Sequence, residues 1–336
     1  MISFSVVIPT YRRPDTLRRV LDALGEQERA PDFEVVVVDD GSGDRTAELL
    51  HAHRPPYLFR FFTQPNTGPA AARNRGVREA SGRYVLFLGD DTVPEPTLLS
   101  VHAAAQAAPR RDAVAVLGYT TWPRERRVSP FLHHINEYGL QFGYGLIEDP
   151  ESVPFNFFYT SNVSVPRALL LEAGLFDTTF PHAAWEDIEL AYRLVQMGLR
   201  IIYRPGAVAR HYHDITLASF RTRQEKAGEA AAIFFGKHPE LGDFLGVPQA
   251  LTLRERAGSW AGLLALWALL AERWDLPGGR TAIDRVLRGD YLRGLKRGLA
   301  RAGRSLAGRS LGPSSAVDAV TFQEVSPPRG TRATPS

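Results

Sequence analysis

Four near-continuous apolar runs, each followed by a turn and a helix-forming stretch, limit this fold more than any other feature. They are FSVVIP (Phe4 to Pro9), EVVVVDD (Glu34 to Asp40), YLFRFFT (Tyr57 to Thr63) and YVLFLG (Tyr84 to Gly89). Runs without polar alternation belong to strands covered on both faces, as in a parallel sheet flanked by helices. Helices are expected from Pro14 to Leu24, after Asp44, from Thr67-Gly68-Pro69 through Ala80, and from about Pro96 to Ala107. Thr67 is the expected N-cap of the third, with Pro69 in its first turn. AVAVLGY supplies a fifth strand. Right-handed crossovers then give a doubly wound α/β domain, with ligands outside the carboxyl ends of its strands.

From Thr120 to Asn156 the chain reads as irregular, either a loop over the site or a plain surface excursion. NFFYTSNVSV returns as strand and AWEDIELAYRLVQM as helix. LRIIY and AVARHYH read as short strands, and Thr216 to Phe235 as a helix. After His238-Pro239 the chain becomes arginine- and leucine-rich helix, and from Gly312 it has the composition of a disordered tail. The expected domains are therefore residues 1–240, 241–311 and 312–336. Between Arg285 and Arg309 eight Lys or Arg stand against one acid, Asp290. Ile283, Leu287, Leu295, Leu299, Ala302 and Leu306 recur there at helical spacing. Such a helix either lies on an anionic membrane surface or packs on the catalytic domain with a solvated basic face.

Several chemistries are excluded. None of the 336 residues is cysteine, so there is no thiolate nucleophile, disulfide or Cys-ligated zinc. No G-x-x-x-x-G-K-[ST] sequence occurs, which argues against a P-loop enzyme. The glycines of DDGSGDRT lack the third member of a dinucleotide fingerprint and follow two aspartates, where a pyrophosphate needs positive potential. MISFSVVIPTY carries no basic n-region. The longest uncharged apolar stretch, Ala257 to Ala271, is 15 residues, short of the ~18–20 of a membrane span. A cytoplasmic protein is expected, with any membrane contact peripheral and at the inner face, and without a nucleic-acid partner.

Two adjacent carboxylates, Asp90 and Asp91, close the fourth strand, where each raises the cost of ionising the other. Mg²⁺ or Mn²⁺ removes that repulsion and is commonly held by one or two carboxylates together with substrate phosphates. An Asp-Asp pair also simply begins turns, here before Pro94. Asp39, after the second strand, is placed to accept hydrogen bonds from a ribose hydroxyl or a base N–H. Arg73 and Arg75 either offset phosphate charge or form a solvated helix face. Glu186 and Asp187 open a helix behind Trp185; acids suit a helix start in any case, and either could act as a general base. His211 and His213 lie on one face of a strand end, as metal ligands or as packed side chains.

The order of SVVIPTYRR, VVVVDDGSGDRT, NTGPAAARNRG, YVLFLGDDTVPEP, WEDIELAYRL and AVARHYH resembles the family 2 glycosyltransferases of GT-A fold, over roughly Ile2 to His238. The resemblance implies a mainly parallel sheet flanked by helices, with a helical C-terminal extension. It implies transfer of a sugar from a nucleotide-diphosphate sugar donor to a hydroxyl of a glycan or lipid-linked acceptor, with inversion and with Mg²⁺ or Mn²⁺. By the same resemblance Pro9, Thr10, Tyr11, Asp39, Arg73 and Asn74 hold the nucleotide, and Trp185 walls the pocket. The D-x-D metal motif falls on Gly89-Asp90-Asp91, so its first aspartate is glycine. Asp91 is then the direct metal ligand, Asp90 lies nearer the ribose, and His211 completes the metal shell. Asp187 matches the catalytic base, with Glu186 the less favoured candidate. The competing expectations are a non-catalytic nucleotide-sugar or glycan-binding module and a sugar nucleotidyltransferase; the latter lacks its N-terminal glycine- and arginine-rich phosphate loop here.

Overall fold

The computed structural model describes residues 2–108, 113–181, 183–253 and 259–306. The expected tail, 312–336, the last residues of the basic helix and His182 lie outside the described residues. Eight strands form one sheet: β1 (Phe4–Thr10), β2 (Phe33–Asp39), β3 (Leu58–Thr63), β4 (Tyr84–Leu88), β5 (Thr92–Pro94), β6 (Val114–Thr121), β7 (Asn162–Pro166) and β8 (Arg200–His211). Their spatial order is β3-β2-β1-β4-β7-β6-β8-β5. From β3 to β4 every pairing is parallel. β7 runs antiparallel to both β4 and β6, β6 and β8 are parallel, and β5 closes the far edge antiparallel to β8.

The apolar runs are buried on both faces, as their lack of alternation requires. Val6, Ile8, Val35, Val37, Leu86 and Leu88 meet helices α1 (Pro14–Leu24) and, beyond the short α2 (Thr46–Ala52), α4 (Leu98–Ala107). Val7, Val36, Val85 and Phe87 point the other way, toward α3 (Pro69–Glu79), α6 (Arg167–Glu172) and α7 (Glu186–Gln196). A Cβ at Gly76 on α3 would stand 2.3 Å from a methyl of Val7, so only glycine lets that helix sit so close to the sheet.

Three local expectations are corrected. Thr67 does not cap α3: Gly68 is the N-cap, with φ 91°, and Asp40 accepts hydrogen bonds from the backbone N–H groups of Thr67 (3.0 Å) and Gly68 (2.8 Å). The segment read as irregular contains α5 (Pro130–Glu137), started by Ser129 Oγ, which accepts from Leu132 N–H. LRIIY and AVARHYH are one strand, β8, whose pairing with β6 shifts register at Gly118/Tyr119.

The C-terminal chain is helical: α8 (Leu217–Lys237), α9 (Gly242–Leu245), α10 (Val247–Thr252), α11 (Ser259–Ala271) and α12 (Gly279–Leu306). The basic helix α12 packs on α8, the second of its two expected arrangements. Added Cβ atoms at Gly228 and Gly294 would stand 2.0 Å from the backbone oxygens of Tyr291 and Glu225, so the two helices meet backbone to backbone. Ile283, Leu287 and Leu295 are buried in this contact rather than presented to a surface. The apolar contacts join α12 to Trp122, Phe131 and Phe220, so the extension shares a core with the chain before residue 240.

Candidate active site

The carboxyl ends of β1 and β4, the start of α7 and the end of β8 open on one cleft of about 2890 Å³. Pro9, Thr10, Tyr11, Arg73, Asp90, Asp91, Trp185, Glu186, Asp187 and His211 all line it. Asp39 and Asn74 do not. Asp39 accepts a hydrogen bond from Ser42 N–H (3.0 Å), which ties down the DDGSG turn, where Gly41 and Gly43 have φ of 76° and 62°. That turn is a tight connection and not a phosphate loop. Asn74 is a clamp: its amide donates to Phe176 C=O and accepts from Phe176 N–H, both at 2.8 Å. Asp40, which the sequence did not single out, lines the cleft in place of Asp39.

The acidic doublet is compensated from within the chain. Thr10 Oγ1 donates to Asp90 Oδ2 at 2.8 Å. Arg13, just outside β1, places one guanidinium nitrogen 3.2 Å from Asp90 and in contact with Asp91. Burial, then the neighbouring Asp91, pushes the Asp90 carboxyl up to about 6, against the pull of Arg13. Burial acts on Asp91 in the same sense, yet His211, His213 and Arg13 hold its carboxyl well below the usual carboxylate range.

Beside Asp91 stand two histidines. His211 Nε2 lies 3.6 Å and His213 Nδ1 3.4 Å from its carboxylate oxygens. The two imidazoles stack at 5.5 Å, and Trp122 stacks on His211 at 5.8 Å, which fixes the rings. One ligand atom from each of the three residues falls within 4.8 Å of the others. His211 Nδ1 is buried without a partner. An imidazole–carboxylate set of this kind suits a divalent first-row cation. The glycine in the D-x-D position has a steric reason: a Cβ at Gly89 would stand 2.7 Å from Thr92 Oγ1 and 3.0 Å from Asp91 Oδ1.

On the opposite side, Trp185 precedes α7 in the left-handed region, at φ 72°. This strain, uncommon for a bulky residue, is held by its indole N–H, which donates to Ala227 C=O at 2.9 Å. Glu186 is buried and receives a hydrogen bond from Arg73 Nη1 at 2.9 Å, while its Oε2 has no partner. Burial, then the charge of Asp187, raises its carboxyl to about 7, with Arg73 opposing. Asp187 accepts from Ile188 N–H at 2.9 Å and faces Thr160 Oγ1 at 3.4 Å. Burial raises its carboxyl too, again against Arg73. A carboxylate of raised proton affinity, partly open to a cleft, is suited to accept a proton.

Sequence reasoning missed Arg13 and Arg223, a cleft-lining residue of α8, and left His213 open between a metal ligand and a packed side chain. Arg13 left one signal, a basic residue directly after a strand that ends at the site. Arg223 left none, since α8 reaches the cleft only through its packing.

The description "Glycosyl transferase family 2" belongs to the family model that matches residues 5–161. Validoxylamine A glucosyltransferase of Streptomyces hygroscopicus subsp. limoneus is 33% identical over 264 residues, covering 70% of this chain and 57% of that protein. Chondroitin synthase of Escherichia coli is 30% identical over 241 residues, 62% of this chain and 34% of that one. The chain thus spans little more than half the length of the first and about a third of the second. Among solved structures, the mannosyltransferase PcManGT from Pyrobaculum calidifontis, in complex with GDP-Man and Mn²⁺, shares the fold. It superposes with a TM-score of 0.58 at 22% identity, over 87% of this chain and 86% of that one.

Proposed function

The chain belongs to glycosyltransferase family 2, and from that membership we propose that it transfers a sugar from a nucleotide-diphosphate sugar to an acceptor hydroxyl with inversion. The observation that carries this reading is the sharing of one cleft by the Asp91–His211–His213 group and Asp187. Catalysis is assigned to residues 1–240, and the helical basic extension assigned to residues 241–311 supplies cleft-lining residues such as Leu245, Arg285, Arg288 and Tyr291.

Pro9, Thr10 and Tyr11 edge the nucleotide side, and Arg73 holds Glu186 in place beside it. Asp91, His211 and His213 are the residues that would hold the cation, with Asp90 toward the ribose. A divalent cation bound there supplies positive charge next to a diphosphate leaving group whose own charge grows as the glycosidic bond breaks. The imidazole share of the donor set favours Mn²⁺ over Mg²⁺. Asp187 accepts the proton of the acceptor hydroxyl as its oxygen bonds the anomeric carbon and the bond to the diphosphate breaks. Glu186 is buried with one oxygen bonded to Arg73, while Asp187 is partly open to the cleft, and Asp187 is therefore read as the base. With one carboxylate as base and none as nucleophile, attack is in line and the anomeric configuration inverts.

Asp187→Asn tests the assignment. It should still bind the donor with Mn²⁺, while transfer falls on the order of 10²–10⁴-fold; near-normal turnover moves the base elsewhere. A panel of UDP-, dTDP- and GDP-sugars hydrolysed with Mn²⁺ separates a transferase from a binding module. A polysaccharide or envelope-glycan product is supported by the named activity of the chondroitin synthase it resembles. Among the described residues no helix is long and apolar enough to cross a membrane. Peripheral membrane contact, expected through the basic helix, is supported instead by the exposed Leu266, Trp267 and Leu270 of the preceding helix α11. Protein left in the soluble fraction after flotation with anionic liposomes overturns that part.

A further inference from the structure

The wall of the cleft built by α8 and α12 carries cations of two kinds. Those in the seam between the helices are paired. Arg221 and Arg293 hold Asp290, Arg297 holds Glu225 and Glu229, and Arg301 holds Glu229. Apart from Arg280, those turned to the cleft are not. Lys226, Arg285 and Arg288 line it, are exposed, and meet no carboxylate at ion-pair distance among the described residues. Of the acids on the same side, Asp284 is engaged by His134 at 2.7 Å and Asp275 by Arg280 at 4.0 Å, which leaves Asp243 as an exposed carboxylate among four cleft-lining cations, Arg223, Lys226, Arg285 and Arg288.

Arg223 of α8 lines the same cleft. Its guanidinium lies over the Phe220 ring at 5.7 Å and donates one hydrogen bond to the neutral Gln141 side chain. Most of its donors are left unspent. The same wall meets the start of α7: Trp185, two residues before Asp187, donates its indole N–H to Ala227 C=O on α8, one turn after Arg223, and its ring lies 6.2 Å from that of Tyr291 on α12, one turn after Arg288. The cationic surplus therefore stands beside the element that carries the proton-accepting carboxylate.

We infer that Arg223, Arg285 and Arg288 form an anion subsite on the acceptor side, so that the attacking hydroxyl belongs to an acceptor bearing a nearby phosphate or carboxylate. The inference rests on the reading of Asp187 as the base. A planar guanidinium pairs with either anion through two parallel hydrogen bonds, and a partly dry cleft strengthens that contact.

The test uses the full chain with Mn²⁺ on immobilised glycans of three kinds: hexuronate-bearing, phosphodiester-bearing and uncharged. Retention on one or both anionic kinds is expected, and which kind it is separates carboxylate from phosphate. Arg285→Gln/Arg288→Gln should weaken that retention at least about tenfold, with the thermal midpoint monitored for folding. Lys296→Gln, on a surface away from the cleft, should leave it unchanged. Equal retention of uncharged glycans, no retention of either anionic kind, or equal loss in Lys296→Gln overturns the subsite. So does a double variant that loses UDP affinity while glycan retention stays. Nucleotide-sugar hydrolysis by the unaltered protein reads the activity separately: its absence sinks the transferase reading, and its presence without anionic preference sinks only the subsite.

Discussion

His211 and Asp91 face one another because β5 closes the sheet against the last residues of β8. Thr92 pairs with His211, and the imidazole Nε2 stands 3.6 Å from Asp91 Oδ1. Removing either side of this contact should weaken Mn²⁺ binding by at least the ~10–100-fold typical of losing an outer-shell partner. Calorimetric titration of His211→Ala and Asp91→Asn with Mn²⁺ reads the effect, and unchanged affinity in both places the cation elsewhere.

Glu186 makes stability depend on pH. Its folded-state carboxyl lies near 7 against an ordinary 4.5, through burial and then Asp187. Between those values the unfolded chain has released the proton and the folded chain still holds it, so rising pH disfavours the fold across that window. Glu186→Gln should therefore raise the thermal midpoint relative to the parent at about pH 8 and change it little at about pH 4, where both states of the parent are protonated. A difference that is larger in acid contradicts the assignment.

Gly89→Ala should damage the site although alanine is small. The new methyl would stand 2.7 Å from Thr92 Oγ1 and 3.0 Å from Asp91 Oδ1, an overpacking that costs about 1–3 kcal/mol. Chemical denaturation measures the stability loss, and Mn²⁺ titration should show a weakened site in parallel. A fully stable variant with intact cation binding would mean that the Asp91 loop relaxes freely.

Asn74→Ala separates a clamp from a nucleotide contact. The amide bridges both backbone groups of Phe176, and stranding those buried groups costs about 1–3 kcal/mol each. The midpoint should fall, while donor affinity, measured below the unfolding transition, should hold. A stable variant with weakened donor binding returns Asn74 to the nucleotide pocket.

Much of the fold could be read from the chain because burial on both faces is written locally. Val35 to Val38 and Val85 to Leu88 have no polar residue to turn outward, and all are buried. The doublet Asp90-Asp91 was conspicuous for a related reason, since two charges closing such a strand need a compensating partner. Thr67 misled because the group that starts α3 belongs to Asp40, 27 residues away. The capping preference of a neighbour was overruled by a tertiary hydrogen bond.

The sequence by itself determined the parallel strands β1 to β4, the position of the carboxylates at strand ends, and the composition of α12. Hydrophobic period and chain order act over a few residues and are visible there. Only the tertiary structure decided that Arg13 returns to neutralise the doublet, that His213 joins His211 at Asp91, and that Asn74 serves Phe176. It also decided that α12 lies against α8 through Gly228 and Gly294 and turns Arg285 and Arg288 to the cleft. Those outcomes depend on how closely two backbones approach and on which charge finds which partner across a folded interior, and neither is encoded in the spacing of residues along the chain.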